Sequence, residues 1–189
     1  MRYHACMRRW VLAAIVLLIC SVPVSADQTD ARLEPLFVEL KTATSITDAR
    51  YIEREIWQIW STHGADAEID LRFRRGVLLM NAGRLEEAIR IFSTIIEVDP
   101  DFAEAWNKRA TLLYFTGDFA GSVRDIERTL ALEPRHFGAL SGLGLIYQQL
   151  ESVDGAIRAF AAALEINPHM PHIRERLEEL EEEKAGEPL

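Results

Sequence analysis

The chain has 189 residues, of which 49% are hydrophobic and 27% charged, and its net charge is −9. Three of the 21 basic residues precede residue 27 and all 30 acidic residues follow it, so 27–189 alone carries −12. A surface of that sign repels nucleic acid and anionic lipid. Both cysteines also precede residue 27, so the remainder has neither disulfides nor thiol chemistry.

Residues 1–26 read as a cleavable secretory signal. Arg2, Arg8 and Arg9 precede the apolar run from Trp10 to Cys20, Pro23 breaks it, and "VSA" at Val24 to Ala26 presents small residues before a cut after Ala26. The run falls short of the roughly 20 residues a membrane span needs. Cys20 follows Ile19, whereas the acylated cysteine of a lipoprotein resembles others in following a small residue. The expected destination is the periplasm or the exterior, with no stable membrane insertion after cleavage.

Two amphipathic helices are predicted within 27–68. Leu33, Leu36, Phe37 and Leu40 share one face of the first, and Ala49, Ile52, Ile56, Ile59 and Trp60 one face of the second. Ser45 to Asp48 has the form of a capping box opening the second helix. The pair reads as a degenerate hairpin closing the N-terminal end of the remaining chain, with Trp57 near the edge of its buried face.

The rest is periodic. Pro100, Pro134 and Pro168 end the echoing stretches "TIIEVDP", "TLALEP" and "ALEINP" at intervals of 34 residues. Other columns keep that interval: Gly76, Ala110, Gly144; Leu79, Leu113, Tyr147; Ala88, Ser122, Ala156; Phe92, Ile126, Phe160; and Ile96, Leu130, Leu164. The chain therefore divides into three units, 69–102, 103–136 and 137–170, with a capping helix over 171–185 and a tail of 186–189. In the cap, Ile173, Leu177 and Leu180 form a narrow apolar stripe on a charged helix.

These columns resemble the tetratricopeptide repeat family, whose unit has the pattern W-x2-L-G-x2-Y, then A-x3-F, then P. The third unit fills it with Leu140, Leu143, Gly144, Tyr147, Ala156, Phe160 and Pro168, Leu140 replacing the tryptophan. The second keeps Trp106 but has Arg109 at an apolar slot, and the first departs further with Arg72 and Arg75. The resemblance implies an all-α fold, a short α-solenoid of helix-turn-helix repeats whose first helices line a concave groove.

Chemistry finds no constellation. Ser141 lacks the spacing and the strand-to-helix turn of a nucleophile elbow. His169 and His172 flank Pro171 without a third ligand nearby, and His63 and His136 have no evident partner. The run "EELEEEK" reads as a solvated helix face, and no glycine loop cradles a phosphate. No catalytic residue, metal or cofactor is expected.

The groove is the candidate site. Residues four apart share a helix face, which pairs Asp70 with Arg74, Glu104 with Lys108, and Gly138 with Gly142 in successive units. The last pair removes two charged side chains from the inner wall and predicts a bare patch. Gly144 points elsewhere, where a partner helix would pack closely. Candidate peptide-binding residues are Phe73, Arg74 and Val77 from unit one, and Asn107, Lys108, Thr111 and Tyr114 from unit two. Unit three adds Gly138, Ser141, Gly142, Leu145 and Gln148. Arg74 with Lys108, and Arg75 with Arg109, would align as a basic ladder for an acidic peptide or a free carboxylate. Alternatively, they serve intrahelical pairs and snorkelling stems. The lysine, asparagine and arginine clamp that some family members use on chaperone C-termini is absent, since its positions hold Phe73, Val77, Lys108, Gly138 and Gly142. The expectation is a non-enzymatic, exported bacterial module that binds a protein or peptide in its groove. The alternative is a structural or assembly factor of the envelope acting through its convex face or N-terminal hairpin.

Overall fold

A computed structural model describes residues 27–186, so residues 1–26, with the signal expected there, and the last three residues lie outside the described residues. Nine α-helices and no strand occur among the described residues. They are α1 (Leu33–Thr42), α2 (Ile46–Trp60), α3 (Ala67–Asn81), α4 (Leu85–Val98), α5 (Ala103–Phe115), α6 (Phe119–Leu132), α7 (Phe137–Gln149), α8 (Val153–Ile166) and α9 (Pro171–Gly186). The last runs one residue further than the sequence pattern, through Gly186.

Three antiparallel pairs, α3/α4, α5/α6 and α7/α8, repeat the same local devices. The residue before each periodic proline accepts the backbone N–H two positions on: Asp99 from Asp101, Glu133 from Arg135 and Asn167 from His169, each at 3.0 Å. That bond satisfies a donor at the chain reversal, where no helix can. Within each pair the first helix presents a small residue to the second helix, against an aromatic ring in the first and third pairs. A methyl group built on Gly76 would lie 2.7 Å from Phe92, and one on Gly144 would collide with Phe160. At Ala110 the partner is Ser122, whose hydroxyl donates to the Ala110 carbonyl at 2.7 Å. The close approach predicted for Gly144 is therefore real.

The cores join across repeat boundaries. Phe73, Phe92, Ile95 and Ile96 pack with Phe102, Ala105 and Leu112 of the next pair, and Ala110 and Ile126 pack with Ala139 and Ile146. At the C-terminal end Ile173, Leu177 and Leu180 of α9 close over Phe160 and Ala156, as the stripe predicted.

The hairpin α1/α2 opens with the expected capping box, Ser45 Oγ accepting from the Asp48 N–H at 3.1 Å and donating to its carboxylate at 2.8 Å. Its position corrects the sequence reading. The hairpin does not share the core of the first repeat; Leu33, Phe37, Leu40, Ile56, Ile59 and Trp60 instead enclose Phe137, with Ile166 and Met170 packed against them. It lies across the starts of α5 and α7. Gln28 reaches the Asp101 carbonyl at 2.6 Å and accepts from the Ala103 N–H at 3.3 Å. Arg135 binds Glu34 at 2.8 Å and lies 4.3 Å over the Phe37 ring. The physical reason is hydrophobic: fully buried Phe137 and half-buried Met170 present an apolar rim at the third repeat, whereas on α3 the exposed Leu71 and Leu78 are separated by Arg75.

One turn departs from the repeat. Gly83 and Gly117 adopt φ of +72° and +82°, and the same column holds Glu151 at +56°, where a Cβ is unfavourable. Glu151→Gly should stabilise the protein by about 1 kcal/mol and raise the thermal midpoint by roughly 2–4 °C, read by circular dichroism.

Candidate functional site: a groove partly filled by its own hairpin

The centre of the groove is built around a buried carboxylate. Glu104, on the first turn of α5, is 1% exposed and accepts from Asn107 Nδ2 at 2.8 Å. Lys108 Nζ forms an ion pair with its other oxygen at 2.7 Å. His136, itself fully buried, completes the set at 2.9 Å through Nε2. The Ala139 N–H donates to His136 Nδ1 at 3.0 Å, so the ring both caps α7 and keeps the proton that Glu104 accepts on Nε2.

Two tryptophans of α2 cover this network. Trp60 stacks on His136, with ring centres 4.2 Å apart and planes 10° apart. Trp57 meets Trp60, His136 and Phe137 edge-on, and Lys108 sits 5.1 Å over its ring. Its outer edge lies where a Gly138 side chain would be: a built methyl would approach to 2.5 Å. Gly138 is thus not bare wall but the seat of an internal aromatic side chain. Trp57, expected at the edge of the hairpin's own face, is half-buried against the third repeat.

Gly142 differs. A methyl built there meets only Ile126 Cδ1, at 3.7 Å. In front of it opens an apolar cavity of about 160 Å³ between α5, α6 and α7. Six of the twelve predicted residues line it: Asn107, Thr111, Tyr114, Gly138, Gly142 and Leu145. Ala110, Phe115, Ser122, Ile126 and Ala139 complete the wall.

The other six predicted residues go elsewhere. Phe73 is 2% exposed in the core of the first repeat, held between Phe92 and Phe102, which removes it from any ligand. Val77 is half-buried against the same core, and Arg74 is exposed. Lys108 is taken by Glu104 and Trp57. Ser141 donates to the Gly138 carbonyl at 2.9 Å, and Gln148 accepts from Arg176 of α9 at 3.0 Å.

The basic ladder is not formed. Asp70 does not pair with Arg74, because its carboxylate takes the His63 and Gly64 N–H groups at 2.7 and 3.3 Å. Arg109 is bound to Asp125 at 2.6 and 2.8 Å, to Ser93 at 3.1 Å, and lies 4.9 Å over Trp106. Of the intrahelical pairs predicted as the alternative, only Glu104 with Lys108 exists. The histidines without evident partners have them: His63 Nε2 meets Asp99 at 2.6 Å, as His136 meets Glu104. Among the described residues no cluster of three or more His, Cys, Asp or Glu could hold a metal ion.

Sequence reasoning missed Glu104 and His136 as a pair, since they lie 32 positions apart. One signal was present: Phe102, His136 and Met170 form a repeat column, and a histidine in an otherwise apolar column implies a buried polar partner.

Stacked helix pairs with a shared groove define a class of helical-repeat interaction proteins. The sequence profile described as tetratricopeptide repeat matches residues 73–114 and 107–171. A TPR repeat-containing protein of Rhizobium etli is 35% identical over 155 residues, which is 82% of this chain and 76% of that protein. Among solved structures, the first TPR of Spaghetti bound to an HSP90 peptide is similar with a TM-score of 0.61 and 20% identity, over 64% of this chain and 97% of that one. The MamA protein is similar with a TM-score of 0.58 and 19% identity, over 80% of each chain. The chain belongs to the tetratricopeptide repeat family, whose repeats are protein–protein interaction modules.

Two outcomes are expected from this geometry. Burial alone would raise the Glu104 pKa, but the Lys108 ammonium and the His136 bond outweigh it and hold it at about 2, below the ordinary 4.5. The stability it contributes, on the order of 3 kcal/mol, is complete above pH 4.5 and lost as pH falls toward 2. Glu104→Gln should therefore be less stable at pH 7 and show a flatter decline between those pH values in urea titrations. Separately, Gly138→Ala should destabilise by about 1–3 kcal/mol by displacing Trp57, with a shift in tryptophan emission. Gly142→Ala should instead stabilise by up to about 1 kcal/mol.

Proposed function

We propose that the protein is an exported bacterial interaction module that captures a protein partner by inserting one bulky apolar side chain into the cavity at Gly142. The observation that carries this reading is the cavity itself: mostly apolar walls that include Asn107 and Thr111, beside the Gly138 seat that Trp57 fills. A space of about 160 Å³ suits one leucine, methionine or phenylalanine side chain and is too small for a folded element. The fold is shared with the first TPR of Spaghetti, which binds an HSP90 peptide.

The partner chemistry shifts from the sequence expectation. Lys108 and Arg109 are neutralised internally, so the cavity selects by shape and apolarity rather than by a carboxylate clamp. Export rests on the residues of the leader, and the similarity to a Rhizobium etli protein supports a bacterial source. The envelope-assembly reading through the hairpin is weaker, because the hairpin's apolar face is spent on Phe137.

Gly142→Phe starts a ring at the mouth of the cavity from a Cβ whose one neighbour within 4 Å is Ile126 Cδ1 at 3.7 Å. It should leave the circular dichroism spectrum and thermal midpoint near those of the native protein and abolish capture of the partner from native envelope extract, read by quantitative mass spectrometry. Undiminished capture would rule the cavity out as the docking site.

A further inference from the structure

The N-terminal end of the solenoid carries an interface with nothing on it. In the second and third repeats the column of Ala105 and Ala139 is 0% and 1% exposed, and that of Leu112 and Ile146 is 0% and 1% exposed, packed into cores that join adjoining repeats. The same two columns of the first repeat hold Leu71 and Leu78, which are 57% and 68% exposed. These two leucines and Arg75 stand at i, i+4 and i+7 on one stripe of α3. A terminal repeat ordinarily shows solvent a polar outer face, as α9 does at the other end. Here the element that would have covered the stripe, the hairpin, is committed to the third repeat.

Charge narrows what fits. Arg109, one repeat on from Arg75, is satisfied by Asp125 of its own pair and Ser93 of the preceding one. The position matching Asp125 in the first repeat is Ile91, so Arg75 has no counterpart to the Arg109–Asp125 pair; it acts on Glu87 of α4 through space, the smallest of the influences that lower that carboxyl's pKa, without a bonded ion pair among the described residues. A second copy docking by its own α3 would set Arg75 against its equivalent, since it falls midway between the leucines at the two-fold axis. The α9 of a second copy supplies glutamates but has spent its apolar stripe on Phe160. Residues 1–26 are apolar but contain arginines and no acid.

We infer that the α3 face docks an amphipathic helix of another protein, with apolar side chains over Leu71 and Leu78 and a carboxylate on Arg75, in the place a preceding repeat would take. This surface is separate from the Gly142 cavity and stands or falls independently of it.

The test places p-benzoylphenylalanine at position 71 or 78 of the full chain, with position 124 on the exposed face of α6 as control, and irradiates the cells that make the protein. Cross-links from 71 and 78, absent from 124, should map to one amphipathic, acid-bearing segment of another protein. Arg75→Glu should reduce them by roughly tenfold, and Gly142→Phe should leave them unchanged. Cross-links to a second copy, to residues 1–26 or to a segment without acidic residues, or none specific to 71 and 78, would overturn the inference.

Discussion

The arrangement of this molecule depends on one buried carboxylate. Glu104 cannot remain charged at 1% exposure without partners, and it has three: Asn107 and Lys108 from its own helix, and His136, the residue that caps α7. The bond to His136 joins α5 to α7 in fixed register and orients the imidazole ring. That ring is the platform on which Trp60 stacks, and Trp57 completes the seat beside Gly138. A polar interaction inside the solenoid thus orients one ring of the surface, beside Phe137 and Met170, on which the apolar hairpin rests.

Both open surfaces result from the hairpin's position. Because the hairpin lies over the third repeat, it closes the part of the groove in front of Gly138 and leaves an apolar cavity at Gly142. Because it is not on the first repeat, Leu71 and Leu78 of α3 face solvent. A chain that had placed the same two helices at the N-terminal end would have an open groove and a covered end, the reverse of what is seen. Groove residues that look free in a single repeat are largely committed within the stack. Phe73 belongs to the core, Lys108 to Glu104, and Arg109 to Asp125 and Trp106.

The repeat architecture was legible because it is written locally, in prolines at a constant interval, small residues at helix crossings and a capping box at Ser45. The closeness of Gly144 to Phe160 could be read for the same reason, since both belong to one unit. What could not be read depends on pairs far apart in the chain. Trp57 and Gly138 are 81 positions apart and Glu34 and Arg135 are 101 apart, and neither spacing carries a periodic signal. The pattern identified the hairpin as amphipathic but not the surface it covers, because several apolar surfaces satisfy the same stripe. Gly142 is bare wall, as its column predicts; Gly138, at the equivalent position one turn away, is not, and only the tryptophan separates them.

Hydrogen exchange read by mass spectrometry on Trp60→Ala, against the native protein, tests the position of the hairpin most directly. If Trp60 anchors α1 and α2 to the third repeat, protection should fall in α1, α2 and the first turn of α7 together, with α3 and α4 unchanged. Loss of protection in α3 with α7 unchanged would place the hairpin on the first repeat and contradict the account.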